Sequence, residues 1–322
     1  MLIKKMKWIG AALALAACNA AVAQAWPSKP IRLVTAFGPG SASDIVARMI
    51  GMEMQTELKQ TVIVENRPGA SGFLAAQNVA ASAPDGYTFF LTTNTVHSSN
   101  PHLFKQLPYQ PIKDFTAVAR VCYFPFILTV PGDSPIKSVG ELIALSKTPN
   151  ANLSYAYGNS TGQIAGAAFS SLTKLNATAV PYKSTPQAMT DLVGGRVTFM
   201  FGDLASSRPH LQSGRLRAIA VTSEEKSALA PELPTIAGSA NLRGFDLAAW
   251  VGVVAPAGLP PEITNKVSGV ITSMLARKDV VDKLTTLGAE VAPANAATLQ
   301  TYMVKQLDVW GRKVKDAGIQ PE

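Results

Sequence analysis

The stretch Ile31 to Ile50, IRLVTAFGPGSASDIVARMI, constrains this chain more than any other. Its apolar run from Ile31 to Ala36 predicts a buried strand, and Gly38, Pro39 and Gly40 break that strand. Ser41, Ser43 and Asp44 are good helix N-cap types, and Ile45, Val46, Met49 and Ile50 then recur at helical spacing. Strand, glycine turn and helix start in that order leave unpaired N–H groups and the positive end of a helix dipole aimed at one spot, which suits an anion.

The same order recurs later. A strand over Leu153 to Ala156 leads through Tyr157-Gly158-Asn159-Ser160-Thr161-Gly162-Gln163 into an apolar helix from Ile164 to Leu172. Two such units predict two similar α/β lobes. Around the first, strands at Thr61 to Glu65 and Tyr87 to Thr92 alternate with an alanine-rich helix, the pattern of a mostly parallel sheet. Phe115 to Val121 and Phe126 to Val130 read as two further strands. In the second unit, Thr185 caps a helix to Val193 and a strand over Val197 to Phe201 ends in Gly202-Asp203. Leu247 to Val254 is an apolar strand, and residues 296–316 form an amphipathic closing helix with Leu299, Met303, Leu307 and Trp310 on one face. The C-terminal helices are expected to return to the first lobe.

Hydrophobic residues make up 47% of the 322 and charged residues 16%, which supports a large core and argues against disorder. The N-terminus has a basic region with Lys4, Lys5 and Lys7, an apolar stretch Ile9 to Ala17 and an Ala23-Gln24-Ala25 cleavage site, so residues 1–25 are expected to be a signal peptide. The apolar stretch is far short of the ~20 residues a membrane-spanning helix needs. Leu15-Ala16-Ala17-Cys18 also resembles a lipoprotein box; the A-x-A site, behind a polar region, is the better placed. Three lysines and no acidic residue go with the leader, so +8 becomes +5. No basic run or aromatic-interleaved basic patch appears, which argues against nucleic acid. Cys122 stands alone after the leader, so no disulfide framework or cysteine metal site is expected.

The chain shows no metal-ligand spacing, no G-x-S-x-G elbow and no G-x-x-x-x-G-K-[ST] phosphate loop. Ser41 or Ser160 with His97 and Asp44 would be the parts of a secreted serine hydrolase, the alternative from another class. The segment Thr92 to Pro101, TTNTVHSSNP, should lie beside the first glycine turn at the carboxyl ends of neighbouring strands, where open α/β sheets bind ligands. The three loops offer Ser41, Ser43, Thr93, Asn94, His97, Asn159, Ser160 and Thr161. With backbone N–H groups, such residues can hold a carboxylate without Arg or Lys. Phe37, Tyr157 and Phe201 flank them and make an aromatic dicarboxylate plausible. Asp203 is the one carboxylate expected near the rim. It would repel a second ligand carboxylate unless protonated, or receive an amine or hydroxyl.

IRLVTAFGPGSASD, VENRPGASG, TTNTVHSSNP, YGNSTG, VPYKSTPQAMTDLVGGRV and FGDLASSRPHLQSGRLRAIAV, in this order and spacing, resemble the tripartite tricarboxylate transporter solute-receptor family, also called the Bug family. The likeness covers residues 26–322. It implies an α/β periplasmic-binding-protein fold of the two-lobed Venus-flytrap kind (type II) with two crossing hinge strands. Residues 26–125 with 249–322 would form one lobe and 126–248 the other. It implies a monomeric periplasmic receptor, without enzymatic activity or cofactor, that hands a small carboxylate to membrane permease subunits. An amino-acid receptor that uses Asp203 for the ammonium is the alternative within the family. Carried over, Gly40, Ser41 and Asp44 fall in the first carboxylate loop; Asn159, Ser160 and Thr161 fall in the opposing one. Thr93, Asn94 and His97 line the side wall, and Asp203 falls where selectivity is expected. Many members have F-P-P-G-G where this chain has F-G-P-G-S, so Ser41 adds a hydroxyl and removes turn freedom.

Overall fold

The computed structural model describes residues 26–149, 151–242 and 244–322. The leader and lipoprotein-box readings lie outside the described residues. The first unit runs β1 (Ile31–Thr35), α1 (Ala42–Leu58), β2 (Val62–Asn66), α2 (Phe73–Ala80), β3 (Thr88–Thr93). Ser41 stands at the N-cap of α1, where its hydroxyl accepts the Asp44 N–H at 3.3 Å. Val46, Ile50 and Met54 of α1 are buried at helical spacing. β1 lies between β2 and β3, parallel to both.

β3 does not end in a polar loop. It enters a π-helical turn, Thr95–Ser99, followed by the short helix α3 (Asn100–Leu103), and every residue of the turn is buried. Polar side chains can be buried here because internal partners satisfy several of them. The Asn100 amide donates to the Ser71 carbonyl, and Tyr109 Oη donates to the Val96 carbonyl.

Phe115 to Val121 and Phe126 to Val130 are not separate strands. They are the two ends of one strand, β4 (Phe115–Pro131). The second unit follows: α4 (Val139–Leu145), β5 (Leu153–Tyr157), α5 (Ser160–Thr173), β6 (Ala177–Pro181), α6 (Thr185–Val193), β7 (Phe199–Asp203), α7 (Leu204–Gln212), β8 (Leu216–Val221). After α8 (Ile236–Ser239), β9 (Ala248–Pro256) leads to α9 (Pro261–Ala276), α10 (Lys278–Thr286), β10 (Glu290–Ala294) and α11 (Ala296–Asp316). Leu299, Met303 and Trp310 of α11 are buried, and Leu307 is half-buried.

The strand order is β2-β1-β3-β9-β4-β7-β5-β6, with β10 and β8 also paired to β4. The two units therefore repeat one arrangement, β2-β1-β3 and β6-β5-β7. β4 serves both. Its first half pairs with β9 and β10, and its second half with β7 and β8. The change of partner falls between Pro125, opposite Ala248, and Phe126, opposite Asp203. Proline has no N–H to give a ladder, so it is tolerated where one sheet ends. Thr222, just past β8, ties the chain's return toward β9 to β4: its N–H donates to the Phe126 carbonyl at 2.9 Å and its hydroxyl to the Leu247 carbonyl at 2.5 Å. The result is an α/β fold of two lobes joined by crossing strands.

Candidate functional site

A helix that follows a parallel strand starts at that strand's carboxyl end. The repeated topology therefore brings several helix starts to one place. Ser41, Ala42 and Ser43 come from the start of α1, and Thr93 to Thr95 from the entry to the π-turn. Asn159 and Thr161 come from the start of α5, Thr185 from α6 and Asp203 from the N-cap of α7. These residues line one cavity of about 30 Å³, closed on the remaining sides by Phe37, Phe124, Phe126 and Ala249. That volume holds about two waters. No Lys or Arg lines it among the described residues. The groups there that favour an anion are first-turn N–H groups and helix dipoles.

Hydrogen bonds cross from one unit to the other around this cavity. The Asn94 amide donates to Thr161 Oγ1 at 2.8 Å, and the Ser160 and Thr95 hydroxyls share a bond at 2.9 Å. The Ala42 N–H donates to Ser206 Oγ at 3.1 Å. Asn94 Oδ1 is buried without a hydrogen-bond partner among the described residues, an acceptor able to serve a solute hydroxyl or a water.

The two acidic residues here have opposite roles. Asp44 braces the first turn and does not line the cavity. Its carboxylate accepts the Gly40 N–H at 3.0 Å and the Asn66 amide at 2.9 Å, and it pairs with Arg48 at 2.9 Å. Burial pushes its carboxyl up, but Arg48, the Gly40 N–H and Asn66 outweigh burial and hold it below the usual range. Gly40 has φ +77°, so the turn needs glycine there. Asp203 does line the cavity. Burial pushes its carboxyl above the usual range, against the Ser206 N–H and the Thr185 hydroxyl, which lower it. Its Oδ1 accepts the Ser206 N–H at 2.7 Å as the α7 cap.

The expected residues divide accordingly. Phe37, Ser41, Ser43, Thr93, Asn94, Asn159, Thr161 and Asp203 share the cavity. Gly40, Asp44, His97, Tyr157 and Ser160 do not line it. His97 is a core residue: its Nδ1–H donates to the Pro111 carbonyl at 2.6 Å, its ring stacks on Trp250, and burial brings its pKa down to about 4. Tyr157 and Ser160 face a second, larger cavity. Phe201 is buried against Phe169 and Phe245, away from both. The hydrolase alternative finds no nucleophile–base pair, since Ser41 caps α1, Ser160 bonds Thr95, and His97 Nε2 has no partner among the described residues.

The description that fits this geometry is a family one. The model for the tripartite tricarboxylate transporter family receptor matches residues 46–319. The chain belongs to that family. Members of the receptor family are periplasmic solute-binding proteins, and their solved structures share this fold. An R. palustris protein, Rpa4515 with adipate, is 32% identical with a TM-score of 0.89, over 92% of this chain and 100% of that one. The periplasmic binding protein BugD is 31% identical with a TM-score of 0.86, over 92% and 100%. MatC from Rhodopseudomonas palustris, with bound malate, is 32% identical with a TM-score of 0.83, over 90% and 100%.

Sequence reading missed four cavity residues of note. Thr185 was legible as a helix start and accepts from the Asn159 amide at 3.2 Å, but nothing local joined it to the other starts. Phe124, Phe126 and Ala249 lie at the strand crossing, where the only local signal is Pro125 between two phenylalanines.

Proposed function

We propose that this chain is a non-enzymatic extracytoplasmic receptor. It captures a small carboxylate, foremost a dicarboxylate, between its lobes and delivers it to a tripartite tricarboxylate-type permease. The observation that carries the reading is the convergence of helix starts from both units on a cavity lined by hydroxyls and amides without a cationic side chain. First-turn N–H groups can hold a carboxylate there, and a site without a fixed countercharge releases its solute readily. Adipate and malate in the related structures support the same chemistry.

Residues 26–125 with 249–322 act as one lobe and 126–248 as the other, hinged at Pro125–Phe126 and near Leu247. Ser41, Ser43, Asn159, Thr161 and Thr185 hold the carboxylate; Thr93 and Asn94 form the side wall; Phe37 packs on the carbon skeleton. Gly40, Asp44, His97 and Ser160 support these groups from behind. The receptor works as a periplasmic monomer without a cofactor or nucleic acid. Asp203 favours a second reading, in which it takes the ammonium of an amino acid.

Calorimetry of the mature chain with malate, adipate and an amino acid tests this. At least one carboxylate should bind without turnover, and Thr161→Val should weaken it about tenfold, the loss of one hydrogen bond at a buried site. Ester hydrolysis that disappears in a Ser160→Ala variant would overturn the reading.

A further inference from the structure

A second cavity, of about 440 Å³, lies next to the first and is also built by both units. Phe37 and Asn159 line both cavities, so these two side chains form the partition. The inner space of about 30 Å³ matches a single carboxylate group, whereas the outer one falls within the usual range for small-molecule sites. A solute whose carboxylate sits inside must place its remaining atoms outward.

The walls of the outer cavity indicate what those atoms are. Five of its sixteen lining residues are aromatic (Phe37, Phe73, Phe104, Tyr157 and Tyr182), whereas aromatics are 7% of the chain. Several are held in place. Phe73 and Phe104 meet edge to face at 4.8 Å, and Tyr182 Oη donates to Asp191 at 2.7 Å, so its ring is presented rather than its hydroxyl. The walls offer no net cation. Lys183 and Glu322 both line the cavity, and their charges oppose one another. Glu322 is fixed by main-chain bonds with Leu103 and Lys105. A neutral ring suits such walls better than an anion, since aromatic pairs add edge and face contacts to area burial.

We propose that the outer cavity is a second subsite, which takes the aromatic ring of an arylcarboxylate whose carboxylate lies in the inner cavity, with Phe37 and Asn159 beside the passage from one to the other. The Phe37 carbonyl accepts the Asn66 amide at 2.9 Å, which fixes the backbone at the passage. This rests on the inner cavity being a carboxylate site.

Calorimetry on the full mature chain separates the two ideas, with malate and adipate as aliphatic probes and benzoate, phenylacetate and 4-methylbenzoate as aromatic ones. At least one aromatic probe should bind as tightly as malate. Tyr157→Leu should weaken the aromatic probe about three- to tenfold and change malate less than about twofold. Phe104→Leu should give the same pattern, and Thr161→Val should weaken both classes. Malate or adipate binding without any aromatic binding would overturn the second subsite and leave the carboxylate site standing. Equal losses for both classes in Tyr157→Leu and Phe104→Leu would also overturn it. If neither class binds, the carboxylate reading itself fails and the subsite falls with it.

Discussion

Asp203 and Asp44 are both buried helix-start carboxylates, and their neighbours decide what each can do. Asp44 has Arg48, Asn66 and a backbone N–H, and stays ionised. Asp203 has hydroxyl and N–H partners but no cation, and burial raises its pKa. A ligand anion beside it raises that pKa further, so binding takes up a proton and affinity for a dicarboxylate falls as pH rises through the Asp203 pKa. Asp203→Asn should flatten this dependence and tighten dicarboxylate binding at neutral pH by about tenfold or more, the effect of one close charge. Asparagine is as good an N-cap, so the helix start should survive. Titrations at several pH values check this; weaker dicarboxylate binding in the variant at neutral pH would favour the amino-acid reading. His97 acts on stability instead. The unfolded chain protonates it below 6.5, and the folded one only near 4. Its contribution is complete above pH 6.5 and lost as pH falls through about 4, about 3 kcal/mol in all. Urea unfolding between pH 7 and pH 4 should show this slope, and His97→Asn should flatten it.

The helix start is the working element. The starts of α1, α5 and α7 are ordinary alone, each with a Ser or Asx cap of the kind worth ~1 kcal/mol. Their closeness builds the cavity, and backbone contact sets that closeness. A Cβ on Gly158 would stand 2.2 Å from the Ser184 carbonyl carbon and 2.2 Å from the Thr185 nitrogen. Neither atom belongs to a side chain that can turn aside, so glycine here lets the starts of α5 and α6 pack together. Gly158→Ala should destabilise the fold by about 1–3 kcal/mol and weaken carboxylate binding by parting the two starts. Denaturant melts and titrations read the two effects; a variant with unchanged affinity would show that this spacing does not matter to the ligand.

Over the whole molecule, β4 and the Thr222–Leu247 crossing are the links between two sheets that otherwise have separate strands. The inner cavity is too small to admit a solute of several carbons while the bonds from Asn94 to Thr161 and from Thr95 to Ser160 are made. A parting of the two units would break those bonds and open the cavity. Solution scattering should show a smaller radius of gyration with carboxylate than without it. An unchanged radius would count against hinge closure.

The sequence by itself determined what local chemistry controls. The strand–glycine–helix units at 31–50 and 153–172, the caps at Ser41 and Asn159 and the buried face of α11 each follow from residues within a few positions of one another. So did the polar, cation-poor character of the site and most of its lining, because helix starts at strand ends are local facts. Tertiary structure decided the rest. Continuity of β4 through Pro125 depends on β9 and β7 as partners, which no local pattern displays. His97 looks like any polar-loop histidine until Trp250, far along the chain, stacks on it. Thr185, Phe124 and Phe126 enter the cavity only through the register of strands distant in sequence. The turn at Ile31 to Ile50 was legible as a strand–glycine–helix start, but the second unit that shares its cavity lies more than a hundred residues away, across the sheet.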